Sequence, residues 1–354
     1  KLALHRASMN YYAEYLRSKS KRVRYFEEKE AKLGVVFDQL RQMTTQIIVV
    51  DPTDFLLEKR IRRYTQQCEL QLTWLENPSF INSKADNIVL FGQREQRFFL
   101  ADFYKKQRER LGILLDQDGQ ALGGRWSFDT ENRKALPKGL VLPDFPTYTS
   151  QWALKAQQEI PNYFTQHPGD PDLSAYPVTH QEAREALDFF IEVNLAQFGP
   201  YQDAFSTSAP FLFHSNLSAA LNIGLLLPGE VVERVLKAFH EQKVSIESTE
   251  GFIRQIVGWR EFIRAVYEKV GVVQRTKNAM DHKRTLNWAQ LSSLSLFAQV
   301  SDKLNKHAYA HHIERLMLLG NFFFLAEIIL DAELEYDIPF ATDHCGTCTA
   351  CIRS

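Results

Sequence analysis

HAYAHHIERLMLLGNF, His307 to Phe322, sets two histidines side by side at the head of an apolar segment. From Tyr309 onward apolar residues recur every three to four positions, which is the spacing of an amphipathic helix. Arg315 stands four residues after His311, and Asn321 follows on the same stretch. A bare His-His pair there reads as polar passengers on a core helix. The neighbouring segments decide whether it is more.

Helical spacing also runs through HQEAREALDFFIEVNLAQF (180–198), GEVVERVLKAFHEQ (229–242) and STEGFIRQIVGWREFIRAVYEKV (248–270). The chain before them alternates. RVRYFE (22–27), TQIIVVDP (45–52) and LQLTWLE (70–76) predict strands. Leu2–Arg17, AKLGVVFDQLRQM (31–43), DFLLEKRIRRYTQQCE (54–69, with Asp54 as N-cap) and 94–115 predict helices. Strands alternating with helices imply a parallel, Rossmann-like α/β sheet over residues 1–120, with its opening strand missing. Two breaker-rich stretches, GQALGGRWSFDTENRKALPKGLVLPDFPTY (119–148) and HPGDPDLSAYPVTH (167–180), make 121–178 a linker. An all-α domain then fills 179–328.

The 354 residues are 45% hydrophobic, enough for two cores, and 42 basic residues nearly cancel 43 acidic ones. Net charge therefore announces no nucleic-acid binder, and any basic patch must be local. No apolar run approaches the roughly 18 residues of a membrane span. Three of the four cysteines fall in the last ten residues, which is no secreted disulfide framework. The expectation is a cytoplasmic monomer without a membrane partner. Lys1 in place of an initial Met, with a helix pattern starting at once, reads as an internal start within a longer parent.

Two stretches carry further chemistry. FLFHSNLSAALNIGLLLPGEVV (211–232) sets His214, Ser215, Asn216, Leu217 and Ser218 just before an apolar helix. Hydroxyls and free N–H groups at a helix start suit a phosphate, although an N-cap cluster looks the same. RQIVGWREFIRAVY (254–267) places Gln255, Trp259, Arg260, Glu261 and Arg264 in an apolar helix. Trp offers a stacking plane and Arg a fork for phosphate or carboxylate, but Arg260 and Glu261 could equally be ion-paired on a solvated side.

Taken together, HRASM, GGRWSFDTENRK, FHSNLSAALNIGLL, RQIVGWREFIR and YAHHIERLMLLGNF resemble the cryptochrome/photolyase family over about residues 1–328. The likeness is to its bacterial photolyase-related branch, which includes the prokaryotic (6-4) photolyases. The resemblance implies a bent FAD in the helical domain, its phosphates held by His214–Ser218. Gln255, Trp259 and Arg260 would line the flavin pocket and the mouth through which DNA enters. Tyr309, His311, His312 and Arg315 match the active-site helix, with the two histidines facing the substrate and Asn321 on the pocket side. A lumazine or folate antenna would sit in the α/β domain, and Trp259 or Trp288 could refill electrons.

The implied activity is light-driven repair of UV-induced pyrimidine dimers in DNA, (6-4) photoproducts preferred, through electron transfer from excited reduced flavin. A (6-4) lesion also needs a proton delivered and a hydroxyl returned. Imidazole titrates near neutrality and can be cationic before that step and neutral after it. The alternatives are a cryptochrome-like photoreceptor without repair and a non-functional fragment. In GGRWSFDTENRK, Trp126 and Phe128 are expected to pack the linker onto both domains, with Arg125, Arg133 and Lys134 on a solvated basic face.

The chain departs from the family in two places. No cysteine stands near Leu296, where the branch's [4Fe–4S] cluster takes its first ligand. After LGNFFFLAEI, further helices should close over the flavin and give Arg315 an acidic partner; the helical domain thus reads as truncated, with weak FAD retention. Instead residues 329–354 form a tail resembling the start of the iron–sulfur segment of epoxyqueuosine reductases. Cys345, Cys348 and Cys351 there have the C-x-x-C-x-x-C spacing of candidate [4Fe–4S] ligands, without the expected fourth.

Overall fold

A computed structural model describes residues 1–27, 32–92, 98–165, 167, 169–206, 209–275, 277–278, 280–285 and 293–328. The first helix, α1 (Leu2–Ser18), is followed by α2 (Leu33–Leu40), β1 (Gln46–Val50), α3 (Phe55–Gln67) and β2 (Gln71–Leu75). The two strands pair in parallel, Gln46 opposite Gln71 through Val50 opposite Leu75, with α3 as the crossover. Their inner face closes on Phe37, Ile61 and Leu70. Asp54 caps α3 as its sequence position predicts, accepting from the Leu57 amide.

The Rossmann-like sheet expected over 1–120 is cut down here to a single βαβ unit among the described residues. RVRYFE is extended but joins no strand. Arg6 of α1 pairs with Glu27 at 2.6 Å and with Glu159 at 2.7 Å, which draws the segment towards α1 and away from the sheet. The long helix predicted over 94–115 is shorter as well. After α4 (Lys84–Phe91), α5 covers Leu100–Leu111 and stops at Gly112, which takes the left-handed conformation.

The stretch 121–178 contains a helix of its own, α6 (Gln151–Tyr163). Small residues on both sides, Ala3 and Ala7 against Ala153 and Ala156, let α1 and α6 pack closely in one cluster. The rest is helical: α7 (His180–Phe189), α8 (Leu195–Tyr201), α9 (Ser218–Asn222), α10 (Pro228–His240), α11 (Ile246–Ile253), α12 (Glu261–Arg275), α13 (Ser295–His307) and α14 (Asn321–Leu325). π-helical turns at Phe190–Asn194, Arg254–Arg260 and Glu314–Gly320 lead into α8, α12 and α14. Such turns widen the helix and re-aim side chains, and they concentrate at functional sites. Leu187, Phe190, Leu195, Leu217, Val231 and Ile253 sit at the centre of the largest core.

Buried polar groups fasten the two halves together. Glu261 is fully buried and accepts from the backbone N–H groups of Ile81 (2.9 Å) and Asn82 (3.1 Å). It is not the solvated partner of Arg260 that the sequence allowed. Arg108 is equally buried and donates to the carbonyls of Ile113, Leu114 and Trp126. Phe128 donates its amide to Glu250 at 2.9 Å, and Asp129 pairs with Arg254 at 2.9 Å. Trp126 and Phe128 thus tie GGRWSFDTENRK to both halves as expected. Arg125 and Arg133 are exposed and ion-paired with Glu131 and Asp129.

The α8–α11 crossing depends on Gly199. Its N–H donates to Ser248 Oγ at 3.1 Å, and its carbonyl accepts from Asn132 at 2.9 Å. A Cβ there would stand 2.7 Å from Ser248 Cα and 2.9 Å from Ser248 N. Gly199→Ala should cost about 1–3 kcal/mol through overpacking, read as a lowered midpoint in thermal unfolding. An unchanged midpoint would show that the crossing is looser than drawn.

Candidate functional site

The segment after α13 turns at Ala308, which adopts a left-handed φ of 50°. His311 then serves as the cap of the next helix. Its Nδ1 accepts from the Ile313 amide at 3.4 Å, and its own amide donates to Glu314 Oε2 at 2.8 Å. This is the geometry of a capping box with histidine in the Ser/Thr position and Glu314 three residues on. Lys303 also donates to Glu314 Oε2, at 2.8 Å, and holds the carboxylate in place.

The His311 ring lies flat against His214, with centroids 4.1 Å apart and planes 12° apart. His214 Nε2 faces the Gln202 carbonyl at 3.2 Å, and its Nδ1 faces the Tyr309 hydroxyl at 3.3 Å. A carbonyl can only accept, so Nε2 carries the proton and Nδ1 receives the phenol's hydrogen bond. His311 is fixed the same way. Its Nδ1 accepts a backbone N–H, so the neutral ring is protonated on Nε2.

His312, half-buried, stands 4.2 Å from the His311 ring, with its Nε2 3.6 Å from Asp203 Oδ1. Three imidazoles from two distant segments therefore form one group. Burial pushes His214 down to about 3, aided by the nearby positive ends of His312 and Lys303. Burial also pushes His311 well below the usual imidazole range, with His214, His312, Arg315 and Lys303 adding to it. Burial thus favours the neutral ring at both His214 and His311.

The residues expected to hold the cofactor divide. Ser215 Oγ accepts from the Leu217 amide at 3.4 Å, and Asn216, at a left-handed φ of 52°, donates to the Ala175 carbonyl at 3.1 Å. Leu217 is buried, and Ser218 opens the short α9. Beside Ser215 and Asn216 lies a cavity of ≈ 10 Å³ between Phe145, Tyr148 and Phe189, room for roughly one water. Gln255 bonds back to the Gly251 carbonyl at 3.3 Å within its own helix.

Trp259 packs edge-to-face on Phe262 in the cluster holding Phe91 and Phe103. Arg260 donates to Asn222 at 2.7 Å and to the Ser79 carbonyl at 3.3 Å. Arg260 thus bridges α9 and the loop at Ser79, while Trp259 packs between α12 and the first half. Their π-helical turn rotates this part of the helix away from the face that regular spacing predicts. Arg315 is buried on the π-helical turn beyond His311, and its amide donates to the His311 carbonyl at 3.1 Å. Asn321 is exposed at the start of α14. Cys345, Cys348, Cys351 and Trp288 lie outside the described residues.

Sequence reading missed Gln202, Asp203, Lys303 and Glu314. Only Glu314 left a signal, its capping-box distance from His311.

The architecture is a photolyase fold. It superposes on the crystal structure of a bacterial class III photolyase from Agrobacterium tumefaciens with a TM-score of 0.64 at 14% identity, over 99% of this chain and 69% of that one. Residues 1–176 match the family described as deoxyribodipyrimidine photo-lyase-related protein. The chain is 31% identical over 338 residues to a (6-4) photolyase of Agrobacterium fabrum, covering 93% of this chain and 66% of that protein. These likenesses support the photolyase-related family for this chain, which spans about two thirds of the photolyases it matches. A 65-residue stretch is 43% identical to an epoxyqueuosine reductase of Cellulophaga algicola, covering 18% of this chain and 17% of that protein. No described helix is long and apolar enough to cross a membrane.

Two buried neutral imidazoles make stability depend on pH. Both folded values lie below the ordinary 6.5. As pH falls, the unfolded chain therefore takes up protons before the folded one does. Their contribution is complete above about pH 6.5 and declines below it by roughly 1.4 kcal/mol per pH unit for each ring. Urea unfolding between about pH 8 and pH 5 should show this decline, and His311→Phe should flatten it. A profile flat in the parent chain would contradict the burial of these rings.

Proposed function

We propose that the chain carries the lesion-facing site of a light-driven, FAD-dependent lyase that repairs UV-induced pyrimidine dimers in DNA, preferring (6-4) photoproducts. The observation that supports this best is the division of the histidine pair. His311 is a buried neutral ring with its proton on Nε2, while His312 is half-exposed beside Asp203. Repair of a (6-4) lesion needs one group that moves a proton and another that holds the base in place. His312 is placed to meet an extruded base and exchange a proton with it, and His311 is placed to donate a fixed hydrogen bond. Extrusion costs a few kcal/mol, less at a damaged and poorly stacked site, and this gives part of the selectivity.

The fit of the described residues to FAD is partial. The turn His214–Ser218 offers hydroxyls and backbone N–H groups suited to phosphate oxygens. The cavity beside Ser215 is small, ≈ 10 Å³, and Trp259 and Arg260 make contacts of their own with Phe262 and with Asn222. FAD, when bound, would supply the photoexcitable electron donor. The work of the chain's own residues is to hold His311 in one tautomer, to keep His312 against Asp203, and to exclude water from the stacked rings.

The test is His312→Ala, assayed with added FAD under blue light on an oligonucleotide carrying a (6-4) lesion. Repair should fall by about 10²-fold or more, while light-driven flavin bleaching persists. Repair equal to that of the parent chain would overturn the assignment. Bleaching without any repair, in both proteins, would support the photoreceptor reading instead.

A further inference from the structure

His214 lies in the stretch expected to hold a phosphate, yet its ring is turned away from that task. Both of its nitrogens are already engaged, Nε2 by the Gln202 carbonyl and Nδ1 by the Tyr309 hydroxyl. Its face is covered by His311. The Asn194 side chain donates to the His214 carbonyl at 3.2 Å, which fixes the backbone beneath the ring. Tyr309 is itself held between Phe211, at 4.9 Å, and the Lys303 ammonium, at 5.5 Å from its ring centre. The ring contacts of His214 therefore run to Tyr309 and His311 on one side and to the end of α8, at Gln202, on the other.

We propose that His214 is a positioning residue: with Tyr309 and Gln202 it forms a hydrogen-bonded platform that sets the plane of His311 and shields that ring as a neutral imidazole, while the Ile313 amide selects its tautomer. The chain of bonds is directional. The Tyr309 hydroxyl donates to His214 Nδ1, His214 Nε2–H donates to the Gln202 carbonyl, and the Ile313 amide donates to His311 Nδ1. Two neutral rings can lie face to face at 4.1 Å, whereas a proton added to either would set a cation against its neighbour. Arg315 and Lys303 bring positive charge to the stack, His312 adjoins it, and Asp203 and Glu314 are acidic groups beside it. His311 thereby keeps its Nε2–H as a fixed donor of one hydrogen bond. Proton exchange falls to His312, the ring beside a carboxylate. The site would accordingly favour a lesion that presents an acceptor oxygen to His311. This rests on the repair function proposed above, but the geometry can be tested without it.

The experiment is ¹⁵N NMR of the histidine side chains in the full chain, without cofactor or DNA, combined with repair assays. In the parent chain, His214 and His311 should each show one protonated and one bare nitrogen, unchanged from about pH 8 to pH 5.5. Tyr309→Phe removes one hydrogen bond and should shift the His214 Nδ1 resonance alone. His214→Phe keeps a flat ring but loses both hydrogen bonds. In that variant the platform loses its anchors, so the His311 resonances should shift and begin to titrate, and repair should fall roughly 10- to 100-fold with a displaced acid limb. His214→Gln restores a hydrogen-bonding side chain without the ring, and should recover the Tyr309 contact but not the parent His311 resonances. A His214 that titrates near its ordinary range in the parent chain would overturn the proposal, as would a His311 spectrum unchanged in His214→Phe. If the spectra behave as expected and no variant or parent repairs DNA, the positioning role stands and the repair reading falls.

Discussion

The face-to-face contact of His214 and His311 is the constraint on which the rest of the site depends. Two polar rings cannot be buried together unless each satisfies its nitrogens, because an unpaired buried donor or acceptor costs about 1–3 kcal/mol. The surroundings meet three of the four nitrogens and leave the His311 Nε2–H as a donor. Gln202 supplies a carbonyl, Tyr309 a hydroxyl and Ile313 an amide. They come from two separate parts of the fold, so the stack exists only when the end of α8, the 211–218 stretch and the 309–315 segment have all reached their places. Satisfying the rings in turn fixes their tautomers, and the fixed tautomers divide the labour between His311 and His312.

The same logic governs how the halves of the molecule meet. Buried charge is costly unless hydrogen bonds compensate it. Glu261 is met by two backbone amides of the 79–82 loop, and Arg108 by three backbone carbonyls around the 113–126 turn. Desolvation raises the Glu261 carboxyl, and the two amides work against it. These groups read the backbone of the opposing segment, which makes the docking specific in a way that apolar contact alone is not. Arg260, stacked over Phe80 at 4.9 Å, takes part in that docking.

How legible this was depends on the kind of signal. Helices of the second half follow from three-to-four spacing, because their apolar faces are buried against one another. Asp54 was readable as a cap because its signal is local. RVRYFE was misread because β-type alternation is shared by any extended segment, and a single ion pair from Arg6 to Glu27 settled its partner. The outward turn of Trp259 and Arg260 could not be read, since a π-helical turn adds a residue without changing composition. The histidine pair was legible as a site, but its chemistry was not. Neutrality of His311 follows from burial and from a partner ring in a distant segment, and no spacing within HAYAHHIERL encodes either one.

The most direct test of the account is a double-mutant cycle between His214→Ala and His311→Ala, read as unfolding free energy in urea at neutral pH. If the rings form one satisfied unit, the two losses should be coupled by about 1 kcal/mol or more, because either substitution already dismantles the contact. Losses that add to within about 0.5 kcal/mol would show that the rings do not depend on each other. The site as described would then not exist.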